Sequence, residues 1–168
     1  AALAGSYNAG AEGELGKLGG QEDGLPEDIK ASKMTRPSEA ILFAERTGIC
    51  ALAVCIGNVH GVYHTKPDLD FERLEQISGR VDIPLVLHGT SGLPDQMIQT
   101  AKSMGVCKFN VNTEIRQACL KQMRSMFSDS DGQREHSPEL VDIMRGTIAA
   151  MKAPILEKID QFGSAKQA

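Results

Sequence analysis

The sequence predicts an α/β protein built on parallel strands, and three stretches carry that prediction. Ala51-Leu-Ala-Val-Cys-Ile56, Leu85-Val-Leu87 and Val106-Cys-Lys-Phe109 are short, mainly apolar runs of the kind that strands buried on both faces require. Each leads into polar residues: Gly57-Asn-Val-His-Gly61, His88-Gly-Thr-Ser-Gly92 and Asn110-Val-Asn-Thr113. Helix-like segments separate the runs. Such alternation means parallel strands joined by right-handed crossovers, and loops at the carboxyl ends of parallel strands are where chemistry collects. With a further strand over residues 11–15 the count is four. An open doubly wound sheet and part of an eight-stranded barrel both accommodate them.

In chain order, residues 1–10 are small and polar and read as a flexible start. In Ala11-Glu-Gly-Glu-Leu15 the period of two puts Glu12 and Glu14 on one face. The glycines of residues 17–24, around Gln21, Glu22 and Asp23, suit a mobile loop with an acidic tip. A polar segment reaches Pro37, and a helix follows from Ser38 to Arg46, stopped by Gly48. After the strand over 51–56 comes a loop with His64 and Pro67. The next helix has Asp70 as its cap, Phe71, Leu74 and Ile77 on one face, and Gly79 at its end. Pro94 suits the first turn of the following helix, with Met97 and Ala101 one turn apart and Gly105 past its end. After the strand over 106–111, Thr113 or Glu114 opens a helix with Ile115, Cys119 and Met123 at helical spacing. Residues 128–137 read as a charged linker. A last helical region covers 138–162, with Pro154 as a kink or break. The expected division is therefore a flexible 1–10, a main body over 11–127, a linker and helical region over 128–162, and a disordered tail over 163–168.

A chain of 168 residues is long enough for one domain with a real core. A net charge of -4 and a pI near 5.6 leave no basic footprint for nucleic acid. No apolar run approaches the roughly 20 residues that span a bilayer, and no secretory signal is visible. Trp is absent, which argues against stacking platforms. Cys50, Cys55, Cys107 and Cys119 lack C-x-x-C spacing and read as buried, reduced thiols of a cytoplasmic protein.

His60 and His88 occupy equivalent positions, each followed by glycine, within reach of one shared metal ion. Neutral imidazoles plus a carboxylate, with one position open, make a catalytic zinc arrangement; Glu14 is the best carboxylate available. His64 and His136 read as solvated. Gly61, Gly89, Thr90, Ser91, Asn110 and Thr113 ring the same mouth, and their N–H, hydroxyl and amide groups suit a phosphate. Thr113 is equally well placed as a plain helix cap. No G-x-G-x-x-G or Walker-type lysine loop is present, which disfavours a nucleotide as the phosphate donor.

Four stretches, in order and spacing, resemble the class II ketose-bisphosphate aldolases: Glu12-Gly-Glu-Leu-Gly-Lys-Leu-Gly-Gly-Gln-Glu-Asp23, Ile56-Gly-Asn-Val-His-Gly61, Leu85-Val-Leu-His-Gly89 and Asn110-Val-Asn-Thr113. The resemblance runs from about residue 11 to the C-terminal tail. It implies the (β/α)8 TIM-barrel fold, with this chain covering strands five to eight and the C-terminal helices. It also implies zinc-dependent, reversible cleavage of a ketose 1,6-bisphosphate to dihydroxyacetone phosphate and glyceraldehyde 3-phosphate, by a cytoplasmic oligomer.

In that family His60 and His88 are zinc ligands, and Glu14 matches a carboxylate at a neighbouring metal position. Gly61, Gly89, Thr90, Ser91, Asn110, Val111, Asn112 and Thr113 hold dihydroxyacetone phosphate. Glu22 is the proton-transferring acid on a mobile loop, and Arg145 reaches the distal phosphate from a neighbouring subunit. Zn2+ and a monovalent cation are the cofactors implied. The family's upstream Asp-His pair, which supplies an acid and a third zinc ligand, has no counterpart in residues 1–10. A complementing N-terminal half, a self-dimer or a larger assembly is therefore expected. The rival expectations are a non-catalytic half-barrel acting as an interaction or scaffold subunit, and a phosphate-binding module without metal. The motifs do not separate fructose from tagatose bisphosphate.

Overall fold

The computed structural model describes residues 1–22, 25–27, 33–128 and 138–167, with the backbone alone at 20–22 and 25–27. In chain order the elements are α1 (Ala2–Ser6), β1 (Glu12–Leu15), β2 (Gly19–Glu22), β3 (Leu25–Glu27), α2 (Pro37–Thr47), β4 (Ala51–Val54), β5 (Val59–His60), α3 (Phe71–Ser78), β6 (Leu85–Leu87), α4 (Asp95–Ser103), β7 (Val106–Phe109), α5 (Thr113–Phe127) and α6 (Leu140–Gln161). They group into two compact units, Ala1–Val111 and Asn112–Ala168.

The first unit is organised by a parallel sheet in the order β1-β4-β6-β7. Each of these strands lies beside its predecessor in the chain. A doubly wound sheet reverses its strand order at a switch point, and this sheet has no reversal. Of the two architectures the sequence allows, the order fits a segment of a barrel.

Register separates the two faces. Glu12 pairs with Ala51, Glu14 with Ala53, and Ala53 with Val86. Partners side by side in a parallel sheet point the same way, so these residues share one face. The intervening Gly13, Leu52, Val54, Leu85 and Leu87 occupy the other. That second face is covered by helices: a Cβ added at Gly13 would meet Phe43 of α2. Leu52, Val54, Leu85 and Leu87 are buried, as are Ala40 of α2, Leu74 and Ile77 of α3, and Ile98 and Ala101 of α4. Burying one such Leu or Ile side chain is worth about 1.5–3 kcal/mol, so this layer carries the first unit's stability.

The pairing of β6 with β7 is irregular. Leu85 is opposite Val106 and Val86 is opposite Lys108, which leaves Cys107 as an extra residue. A bulge of this kind re-aims the residues that follow it. Here it brings Lys108 to the same face as Val86 and the glutamates.

Several elements differ from their expected form. Residues 1–10 contain the short helix α1. The expected mobile loop over 17–24 contains β2, which pairs with β3 antiparallel and with β5 in parallel. Reciprocal backbone hydrogen bonds of 2.9 Å join Lys17 and Lys33 as an isolated antiparallel bridge. His60 does not sit at the end of β4 but on β5. In α4 it is Ile98, not Met97, that is buried with Ala101. Of the cysteines only Cys55 is buried, while Cys50 and Cys107 are exposed. Other features match: Gly48 closes α2 in the left-handed conformation, and the Asp70 side chain caps α3 by accepting from the Arg73 N–H.

The second unit consists of α5 and α6. Ile115, Cys119 and Met123 are half-buried. Asn112, not Thr113, is the N-cap of α5, and Thr113 is its first helical residue. Gly146 of α6 lies where a Cβ would come within 3.2 Å of Met126 Sδ and 3.3 Å of Gln122 Nε2. A glycine costs a helix interior about 1 kcal/mol; here it admits close packing against α5. Glu114 and Lys158 pair at 3.2 Å. Pro154 lies within α6, which continues unbroken through it. At the start of the expected tail, Gly163 N–H and Ser164 N–H donate back to the Asp160 and Ile159 carbonyls. Of the linker expected over 128–137, residues 129–137, with His136, lie outside the described residues.

Candidate active site

The site joins the glutamate-bearing face of β1, whose first residue is Glu12, to the polar residues that follow β6 and β7. His88 follows β6 and Asn110 follows β7. Between Glu12 and these groups lie Ala51 and Ala53, too small to block long side chains crossing above them.

His88 is the centre of the cluster. Its Nε2 lies 2.9 Å from Glu12 Oε1 and 3.2 Å from Asn110 Nδ2. Its Nδ1 lies 3.7 Å from Glu14 Oε2. The His60 ring stands edge-on to it, with 6.2 Å between centroids. The other Glu12 oxygen, Oε2, accepts from Lys108 Nζ at 2.6 Å. Burial pulls the Glu12 carboxyl upward, but hydrogen bonds from Lys108 and His88 outweigh it and hold it below its ordinary pKa. β1 and β7 are three strand spacings apart, about 14 Å in a flat sheet. Their side chains meet because both reach across a concave face. An exposed ion pair of this kind adds only about 0–1 kcal/mol to stability, so its importance is positional.

Two further side chains lace the histidine-bearing segments together. The buried Asn58 accepts from Ile56 N–H at 2.8 Å and donates to the Val54 and His88 carbonyls at 3.3 and 3.0 Å. The Tyr63 hydroxyl accepts from Val59 N–H at 3.2 Å and donates to the Gly89 carbonyl at 2.9 Å. Gly89 has φ 61°, and an added Cβ would sit 2.2 Å from the Val59 carbonyl oxygen. Only glycine permits that approach. Neither Asn58 nor Tyr63 stands out in the sequence, since Gly57-Asn58 reads as a plain turn and Tyr63 as a loop aromatic.

Residues 1–167 match the fructose-bisphosphate aldolase class-II family. The chain belongs to that family. Among solved structures, this aldolase-family chain is similar to the YdjI aldolase of Escherichia coli K12, with 35% identity and a TM-score of 0.76 over 99% of this chain and 54% of that one. It is similar also to a candidate fructose-1,6-biphosphate aldolase of Coccidioides immitis, with 30% identity and a TM-score of 0.82 over 99% and 56%. The fructose-bisphosphate aldolase of Campylobacter jejuni gives 25% identity and a TM-score of 0.67 over 95% and 53%. The chain thus spans about half the length of these aldolases.

Of the residues singled out in this aldolase-family sequence, His60, His88, Glu14, Gly89 and Asn110 come together. Glu12 was missed as a partner of His88, although its shared face with Glu14 was legible. Thr90 is buried, and its hydroxyl donates to the Asn110 carbonyl at 2.9 Å; Ser91 is buried beside it in sequence. Gly61 follows His60, and His64 is exposed as expected. The Glu22 side chain lies outside the described residues, but the β2 backbone pairs Gly20 with His60. Asn112, Thr113 and Arg145 belong to the second unit.

Two imidazoles with a carboxylate are donors that suit zinc. Among the described residues, however, no three such side chains form a group able to hold an ion.

Proposed function

We propose that this chain provides the second half of a zinc-dependent aldolase that reversibly cleaves a ketose 1,6-bisphosphate into dihydroxyacetone phosphate and glyceraldehyde 3-phosphate. The observation that carries the reading is the juxtaposition of His60 and His88 beside Glu14 in a member of the class-II family. His60 and His88 would hold the zinc, completed by a ligand from the other half of a (β/α)8 barrel. When bound, zinc supplies a Lewis acid for the ketone carbonyl.

The chain's own residues bind, orient and move protons. Backbone N–H groups at Gly61 and Gly89, with Thr90, Ser91, Asn110, Val111, Asn112 and Thr113, hold the dihydroxyacetone phosphate end. Fixing that end aligns the scissile carbon–carbon bond. Glu22 takes or returns the proton at the carbon beside the ketone, on a segment that closes over the substrate. Arg145 reads the distal phosphate from a neighbouring subunit, a monovalent cation assists phosphate binding, and the reaction takes place in the cytoplasm.

The test has two parts. Zinc content of the purified chain should fall in His60→Ala and His88→Ala, and stoichiometric zinc in the double variant would refute the ligand assignment. Cleavage of fructose or tagatose 1,6-bisphosphate should appear when zinc and the first half of a class-II aldolase are added. Failure on both substrates favours a non-catalytic half-barrel serving as a scaffold.

A further inference from the structure

We propose that Glu12 is a positioning residue: its carboxylate, anchored by Lys108, takes the Nε2–H of His88 and leaves Nδ1 as the nitrogen that His88 offers to a ligand. The identity of that ligand rests on the zinc reading above; the orientation and tautomer of the ring do not.

The inference follows from who can donate to whom. An ionised carboxylate has acceptors only, on both oxygens. Glu12 Oε2 is engaged by the Lys108 ammonium at 2.6 Å, and Oε1 lies 2.9 Å from His88 Nε2. The second contact is therefore a hydrogen bond only if Nε2 carries the proton. A ring with a single proton then has its lone pair on Nδ1. Asn110 Nδ2 lies 3.2 Å from the same Nε2; with the proton on Nε2 that nitrogen has no lone pair to accept from it, so this contact is not a hydrogen bond in the tautomer that Glu12 selects.

Nδ1 faces Glu14 Oε2 at 3.7 Å, beyond hydrogen-bond length. A lone pair and a carboxylate oxygen facing each other at that distance repel unless positive charge lies near both. The side of His88 that Glu12 does not use is thus the side prepared for a cation. This is the arrangement in which an outer carboxylate fixes the tautomer of a ligating histidine. β1 and β7 both contribute to it, through a bulge that turns Lys108 inward.

Nitrogen-15 long-range correlation spectra of the 168-residue chain, recorded without metal in alkaline buffer, test this directly. His88→Asn identifies the signal among the four histidines. The wild-type His88 ring should be the Nε2–H form. Glu12→Ala should give a mixture of tautomers, and Glu12→Gln, whose amide oxygen still accepts, should restore the Nε2–H form. Added zinc should move the Nδ1 resonance, with affinity roughly 10- to 100-fold weaker in Glu12→Ala. A wild-type ring protonated on Nδ1, a tautomer indifferent to Glu12→Ala, or a zinc shift at Nε2 overturns the proposal. If Glu12→Ala does not fold, the wild-type spectrum still decides. An Nε2–H ring in a chain that binds no zinc, either by itself or with the first half of a class-II aldolase added, upholds the role of Glu12 and removes the zinc reading alone.

Discussion

At Tyr63 one hydroxyl joins the backbone just before His60 to the backbone just after His88. Tyr63→Phe removes both bonds and leaves an N–H and a carbonyl without that partner. It should cost about 1–3 kcal/mol, read as a lower urea midpoint; an unchanged midpoint would show the hydroxyl to be idle. Burial, the largest influence, pushes the Tyr63 phenol above its ordinary pKa. Its protonated form is favoured by folding. The stability it contributes is therefore complete below the ordinary tyrosine value of about 10 and is lost as pH rises through the folded value. In a Tyr7→Phe background, phenolate absorbance reports Tyr63 alone. Its midpoint should lie higher in the native than in the unfolded chain, and coincident midpoints would contradict the burial argument. His60, His88 and Glu14 were legible because each follows or lies within an obvious strand pattern. Tyr63 was not, because its acceptor at Gly89 is 26 residues away. Glu12 and His88 are 76 apart, and only the folded sheet makes them neighbours.

Among the elements, α3 was readable from its cap, its apolar face and its glycine stop together. Asp70 accepts from Arg73 N–H at 2.9 Å and pairs with Arg73 Nε at 3.0 Å. Asp70→Ala should cost about 0.5–2 kcal/mol, checked by thermal unfolding, and a neutral result would deny the cap its role. β2 was not readable. Gly19 and Gly20 are poor strand formers, and their extended form comes from pairing with β5, which no local pattern announces. α6 errs in the opposite sense: of the kink or break that Pro154 predicts, the break does not occur. A proline in a helix interior costs about 3 kcal/mol, so Pro154→Ala should raise the melting temperature. A fall would mean that the ring packs in a way an alanine cannot replace.

For the whole molecule, alternating strands and helices established the α/β class, but the choice between a doubly wound sheet and a barrel segment waited on strand order. Among the described residues, β1 and β7 each pair on one side only, and open edges invite further strands. Mixed with the first half of a class-II aldolase, the chain should move from an 18.1 kDa species to a heavier complex in light scattering; an unchanged mass would mean that the edges are not used this way. Leu140, Val141, Met144 and Ile148 of α6 are exposed as well. Chain length itself has some freedom at one point. Because Cys107 is surplus to the pairing of β6 with β7, a gene lacking that single codon would still encode Val106 opposite Leu85 and Lys108 opposite Val86. The inward set at the strand ends would survive, and the exposed thiol would be gone.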